Sequence, residues 1–531
     1  MTKRLRFFYL FALAFFRKNF RLAARAVIFA LFTFVFFTLT FKGIWLPFGQ
    51  RLWLSLEKTT YTEGVVGSVK SLNPLFETTE AESELNTLVF RSLTRLDKSG
   101  KLQLDLAESI QEVTPTEYVF KLKKNVFWHD GKNFTAGDVV YTVESSQDAK
   151  LATTAKTVFK DIKIEKIDDY TVKFKLREPF APFLSQTTVG IIPAHIPLSS
   201  YKPIGTGNFR VADFTPEKLV LSNGRLDLVF RFYMSAERAV LALKQGEVKA
   251  LGGLEKKDLE QLAGFSNYQL YSKTMPTRLT AVFFNTKAEA VSDKLVRQAL
   301  SYATAKSSLI KVADGGSVIA AGPLASGNSL QVAEKEHFPF DLSKAAILLD
   351  KAGWKLEKGK RTKDGKHLSL TLTTAVSDQY QSLAKEIGKS WSILGIDYQV
   401  LSLQPGEMDQ AIKDTQFQLV LTTEAINFDP DQYVLWHSTQ VRQGNLTVLS
   451  SPKVDKLLED ARKRNDNAFR KEKYAEFVRI LADESPAIFL YYPTYNWLVN
   501  KKVSNIRLDR FVTPADRFQN ASEWKIPRFA I

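Results

Sequence analysis

The sequence predicts an α/β protein of two or more domains, held to a membrane by one N-terminal helix. Three observations carry that expectation. The chain has 531 residues, beyond the length at which a single hydrophobic core keeps growing. Between residues 368 and 423, apolar runs of strand length alternate with amphipathic runs of helix length, the rhythm of a partly parallel sheet flanked by helices. Near the N-terminus, residues 26–41 (AVIFALFTFVFFTLTF) carry no charge.

With Lys42 able to snorkel and residues 43–48 (GIWLPF) following, the uncharged run is long enough to cross the hydrocarbon core. Trp45 and Trp53 fall where an interfacial aromatic belt belongs. Seven basic residues, from Lys3 to Arg25, precede the run. The positive-inside rule therefore assigns residues 1–25 to the cytoplasm, 26–48 to the anchor and the body to the extracytoplasmic side. Residues 5–16 are apolar but too short to span, and are expected along the membrane surface. A cleaved signal peptide is the competing reading; Thr40, Phe41, Lys42 and Gly43 lack its small-x-small pattern, which favours an uncleaved anchor.

The net charge of +16 is concentrated there. Ten of the 73 basic residues and one of the 57 acidic ones lie in residues 1–58, leaving 63 against 56 in the body. In the body the two signs are interspersed, which gives a solvated, slightly basic surface and no nucleic-acid footprint. The absence of cysteine excludes disulfides, thiolate metal sites, a cysteine nucleophile and lipid attachment through an N-terminal cysteine.

Residues 59–76 read as a strand, a Gly-containing loop and an Asn-Pro turn, and residues 83–96 as a helix with Leu85, Leu88, Val89 and Leu93 on one face. Residues 118–122 alternate as a half-buried strand. Thr135 to Asp138 match a capping box that opens a helix over 139–145, and 170–176 (YTVKFKL) is another alternating strand. Residues 203–211 (PIGTGNFRV) form a Gly-rich turn into a strand, without the Lys-Ser/Thr of a phosphate loop. A strand at 226–233 and a helix at 236–245, ended by Gly246, close the first half.

The second half begins with an apolar strand at 279–285 and a helix at 295–305. Asp341 starts a helix that Gly353 ends. Strands at 368–374, 396–403 and 417–423 then alternate with helices at 379–394 and 407–413. Ser451 as N-cap and Pro452 at the first helical position open a helix burying Val454, Leu457, Leu458 and Ala461. A second helix, 468–482, buries Phe469, Phe477, Ile480 and Leu481, and an apolar strand at 488–492 ends at Pro493.

A search for chemistry finds none. The five histidines are scattered without metal-ligand spacing, so neither a metal nor a cofactor is expected. Nucleophile-elbow and Walker sequences are missing, and the Ser-x-x-Lys occurrences at Ser55, Ser382 and Ser450 lack the ordered companions of a penicillin-binding enzyme. No catalytic residue is expected. A hydrolase is the least favoured function.

From about residue 59 to 503, the order of segments resembles the family-5 extracellular solute-binding proteins, the peptide- and nickel-binding receptors of ABC importers. The resemblance is carried by 104–108 (LDLAE), 117–143 (EYVFKLKKNVFWHDGKNFTAGDVVYTV), Gly205-Thr206-Gly207, 282–285 with 296–303 (VRQALSYA), 340–354 (FDLSKAAILLDKAGW) and 452–464. It implies a type II periplasmic-binding-protein fold with two lobes and a hinge. Lobe 1 would comprise 59–274 and 493–531, with an inserted subdomain at about 90–200, and lobe 2 would comprise 275–492. Crossings are expected near 273–277 and 492–494, each with a proline (Pro276, Pro493). The implied function is capture of a peptide or similar small solute by lobe closure and delivery to ABC permease subunits, by a monomer on the cell membrane. A sensor or chaperone-like binding module uncoupled from import is the alternative; the short cytoplasmic segment favours import.

The resemblance also places the ligand cleft along residues 421–438 (LTTEAINFDPDQYVLWHS). The acid that holds a ligand ammonium in peptide-binding members aligns with Ile426, so either Glu424 or Asp429 supplies it or the ligand lacks a free amine. The expected ligand-binding residues are Asn73, Phe76, Thr206, Asn285, Glu424, Asn427, Asp429 and Trp436.

Overall fold

The computed structural model describes residues 3–18, 24, 28–34, 36, 59–97, 101–151, 153–314, 316–509 and 511–527. The chain divides into two compact units. The smaller carries the helix Lys3–Lys18, on which Phe7, Phe8, Phe11 and Phe15 are exposed. Within the expected anchor, residues 28–34 and 36 are helical and the others lie outside the described residues. Among the described residues no helix is long and apolar enough to cross a membrane.

The body is built on two large sheets. One has seven strands in the order Tyr268–Thr274, Thr494–Asn500, Ala250–Gly252, Thr59–Val66, Leu226–Tyr233, Lys218–Ser222, Arg210–Phe214. The other has six, in the order Val318–Ile319, Ala487–Tyr492, Arg278–Phe284, Leu419–Ala425, Ser369–Ala375, Asp397–Leu403. In the second sheet Ser369–Ala375 pairs in parallel with both Asp397–Leu403 and Leu419–Ala425. The connecting helices Asp378–Ile393 and Pro405–Lys413 supply the crossovers that parallel strands require.

The chain passes between the sheets twice. Residues 275–277 join Tyr268–Thr274 to Arg278–Phe284, and Pro493 joins Ala487–Tyr492 to Thr494–Asn500. The two passages touch, because the Met275 amide donates to the Pro493 carbonyl at 2.9 Å. The C-terminal segment adds a third link. Thr277 Oγ1 donates to the Val512 carbonyl at 2.6 Å, and the Val512 side chain is buried in a core of the six-stranded sheet.

Strand Arg278–Phe284 shows why its sequence is almost wholly apolar. Alternate side chains of a strand face opposite sides: Leu279, Ala281 and Phe283 enter one core and Val282 and Phe284 the other. A separate four-stranded antiparallel sheet, ordered Ala107–Thr114, Glu117–Leu122, Thr171–Lys175, Lys163–Asp168, packs with the helix Ala136–Gln147 around Tyr118, Phe120, Phe174 and Phe183. Asp138 organises this packed sheet and helix. Its Oδ2 accepts from the Thr135 amide at 2.8 Å and from Trp128 Nε1 at 3.3 Å, while Oδ1 accepts from the Ala194 amide at 2.8 Å.

The helix expected over 83–96 is instead Glu80–Val89. Its last carbonyls are taken from outside: the Gly207 amide donates to Val89 at 2.8 Å and the Phe209 amide to Leu88 at 3.2 Å. A Cβ on Gly205 would sit 1.8 Å from the Val89 carbonyl oxygen, and one on Gly207 2.5 Å from that of Leu88. The Gly-rich turn is therefore a close backbone approach that terminates a helix.

Candidate functional site

Strand Leu419–Ala425 emerges from the core as it nears the crossings. Leu419, Val420 and Leu421 are buried, Thr422, Thr423 and Glu424 half-buried, and Ala425 exposed. Its antiparallel register sets Glu424 opposite Leu279 and Ala425 opposite Arg278, and the Ile426 amide donates to the Thr277 carbonyl at 2.9 Å. The polar end of the strand thus stands where the chain changes sheets.

Three charged groups meet there. Arg278 Nη2 pairs with Glu80 Oε1 at 2.7 Å, across from the helix Glu80–Val89 that packs with the seven-stranded sheet side. Burial pushes the Glu424 carboxyl above the ordinary glutamate value; a hydrogen bond with Thr422 and the charge of Arg278 offset this only partly. No ion pair to Glu424 occurs among the described residues. Tyr380 donates its hydroxyl to Thr423 Oγ1 at 2.9 Å, and Thr423 Oγ1 lies 2.7 Å from Thr280 Oγ1. A desolvated carboxylate, a guanidinium and a row of hydroxyls form a surface suited to an ammonium and to amide groups.

The predicted residues part company around this point. Glu424 stands at the crossings, Asn427 is exposed just beyond it, and half-buried Phe76 lies four residues before Glu80. Thr206 is buried, and its hydroxyl has no hydrogen-bond partner among the described residues. It sits against the other end of the Glu80–Val89 helix, roughly 14 Å along its axis from Glu80. Asn73 does not present its side chain: its Oδ1 accepts from the Leu75 amide at 3.0 Å and closes a buried turn. Asn285 lies at the opposite end of its strand from Arg278, roughly 20 Å away, and its Nδ2 donates to the Phe417 carbonyl at 3.0 Å.

Two further expectations are corrected. Trp436 is 1% exposed and packs among Phe283, Phe477 and Phe489, so its side chain belongs to a core. Asp429 is neutralised by Arg470, whose Nη1 and Nη2 reach its two oxygens at 3.0 and 2.6 Å with both side chains at least nine-tenths buried. Burial alone would lower the Arg470 pKa; Asp429 reverses this and raises it. Ile426, aligned with the ammonium-binding acid, is buried in the same core as Trp436.

Arg278, Glu80 and Tyr380 were missed. A signal for the first existed: Arg278 is the one charged residue of a largely apolar strand and opens it two residues after Pro276. Elsewhere a pocket is lined by Ser301, Lys306, His337, Phe338, Val478 and Phe489 among others, and includes none of the predicted site residues. Among the described residues no cluster of three His, Cys, Asp or Glu side chains is placed to hold a metal ion.

Comparison with known proteins adds four findings. Residues 101–445 match the family model of the bacterial extracellular solute-binding proteins, family 5. The oligopeptide-binding protein AppA of Bacillus subtilis is 28% identical over 465 residues, covering 81% of this chain and 85% of that protein. Its structure in complex with a nonapeptide superposes with a TM-score of 0.71 at 25% identity, covering 89% of this chain and 100% of that one. The structure of NikZ from Campylobacter jejuni in complex with Ni(L-His) gives a TM-score of 0.74 at 26% identity, covering 88% of this chain and 100% of that one.

Proposed function

The chain belongs to the bacterial extracellular solute-binding proteins of family 5, and from that premise we propose that it captures peptides for an ABC importer. The peptide is held between lobe 1 (59–274 and 493–531) and lobe 2 (275–492), and closure about the crossings at 275–277 and 493 presents it to the permease subunits. The protein acts as a monomer and performs no covalent chemistry. Residues 26–48 anchor it to the cell membrane, with residues 1–25 in the cytoplasm and the body outside.

One observation carries the choice of peptide. Glu424 is a desolvated carboxylate at the crossings with no ion pair among the described residues, and its raised pKa marks an unmet demand for a cation. A peptide's α-ammonium answers that demand. Glu424 takes this role because Asp429 already holds Arg470. Phe76, Asn427 and Tyr380 surround the remainder of the chain, and Arg278 faces the solute's negative groups.

Native mass spectrometry of the purified full chain, with solute retained from the host, tests the reading. The expected result is a set of bound masses that resolve into peptides on fragmentation. A bound metal chelate, of the kind named for NikZ, or a sugar would overturn the assignment to peptides.

A further inference from the structure

The segment 428–437 (FDPDQYVLWH), expected to line the cleft, is committed to other partners, and these lead to a device on the edge of the second lobe. Arg462 lies near the end of the helix Pro452–Lys463. Its Nε and Nη2 donate to the two oxygens of Asp431 at 2.8 and 2.7 Å. Its guanidinium centre is 3.9 Å from the Tyr433 ring centroid and 5.3 Å from the Phe180 ring centroid. Tyr433 in turn stacks on His437 at 4.1 Å and 19°. The His437 ring is held by Thr439 Oγ1 at 2.8 Å and faces Glu459 at 3.4 Å and Asp455 at 3.9 Å.

Three layers of this stack belong to the second lobe; Phe180 alone comes from the inserted subdomain. It is delivered by a stiff segment, with Pro179 before it and Pro182 shortly after. The next amide, Ala181, donates to the Arg462 carbonyl at 2.7 Å. Alongside, Asn465 Nδ2 donates to Glu112 Oε2 of the subdomain at 2.9 Å.

We propose that Phe180, closing on the ordered Arg462–Tyr433–His437 stack, is a latch that docks the inserted subdomain onto the second lobe and holds the closed receptor. The inference rests on the reading of the protein as a receptor that closes. The second-lobe half is set in advance: Asp431 fixes the guanidinium plane, and His437 backs the Tyr433 ring. Docking Phe180 therefore orders few groups, and the planar cation gains a second aromatic face. The same geometry explains why Asp431 and Tyr433 serve closure and not the solute.

The natural chain has no cysteine, so two introduced ones can carry spin labels without competing sites. Lys163→Cys on the subdomain and Lys471→Cys on the helix Asn467–Glu484 are both at exposed positions. Pulsed electron paramagnetic resonance on the full chain then reads the subdomain-to-lobe distance. Phe180→Ala is expected to raise the ratio of long to short distances about tenfold, Phe180→Tyr to restore the original distribution, and Asn465→Ala to raise the ratio about twofold. Arg462→Lys keeps the charge and loses the fork and the flat face, so it is expected to open the pair as Phe180→Ala does. An unchanged distribution in folded Phe180→Ala and Arg462→Lys proteins overturns the latch. The readout needs no assigned solute, so a failure here leaves the receptor reading to the mass spectrometry.

Discussion

Glu424 and Asp429 lie five residues apart on one segment, and the structure treats them in opposite ways. The Asp429 side chain is nine-tenths buried, receives a two-pronged grip from Arg470 and accepts from the Asp431 amide at 3.0 Å. Glu424 is the penultimate residue of a strand ending at the crossings, half-buried, with its pKa raised by desolvation and with no ion pair among the described residues. A charge that the fold has already paired is architecture. A desolvated charge left open where the chain changes sheets is free to recognise something, at a cost to the empty protein.

The largest expected effect is the loss of the paired acid. Asp429→Ala strands Arg470 in the interior, and unfolding by denaturant should show a loss of about 3–5 kcal/mol. Replacing both partners, Asp429→Ala with Arg470→Met, should recover most of that loss because no buried charge remains. Solute affinity of the folded Asp429→Ala protein should be unchanged. A drop in affinity with little loss of stability would reverse the contrast and make Asp429 the binding acid.

Glu424→Gln should act the other way. Removing a desolvated carboxylate should leave the empty protein as stable or more stable, while calorimetry with a peptide bearing a free ammonium should show about 10- to 100-fold weaker binding. An N-acetylated peptide should bind both proteins alike. The pH dependence has a definite sign. A carboxyl raised in the folded state retains its proton to a higher pH than in the unfolded chain, so this group lowers the stability of the empty protein as pH rises through its shifted range. Peptide affinity should accordingly fall on acidification from a higher pH than an ordinary glutamate would give, and the Gln variant should flatten that profile.

What was legible in the sequence follows the range of the interactions. Ser451 caps its helix through the Val454 amide with Pro452 at the first helical position, and Val454, Leu457, Leu458 and Ala461 are the buried face, because cap and periodicity are written within twelve residues. In the following helix Phe477 and Leu481 are buried as expected, whereas Phe469 and Ile480 are only half-buried. The helix buries Arg470, Tyr474, Phe477, Val478 and Leu481, and a pattern of apolar residues cannot place Arg470 inside when the acid that neutralises it lies 41 residues earlier. The end of the Glu80–Val89 helix depends likewise on Gly205 and Gly207. At the site, Glu424 could be singled out from a segment, but Trp436 and Asp429 could not be told from ligand-facing residues until their distant partners were in place.

The smallest effect tests whether the open end of the site is also electrostatically loose. The Glu80–Arg278 pair joins the two sides at the crossings, yet the side chains are 51% and 33% exposed, and exposed pairs contribute about 1 kcal/mol or less. Glu80→Gln should weaken peptide binding by roughly two- to fivefold at low salt. Salt shortens the screening length from about 10 Å at 0.1 M to about 3 Å at 1 M, so calorimetry of the two proteins should converge as salt is added. An effect of Glu80→Gln that persists at high salt would mean that Glu80 touches the solute directly. Tighter binding in the variant would mean that Glu80 competes with a solute carboxylate for Arg278, and the contrast would then extend to a second uncommitted charge beside Glu424.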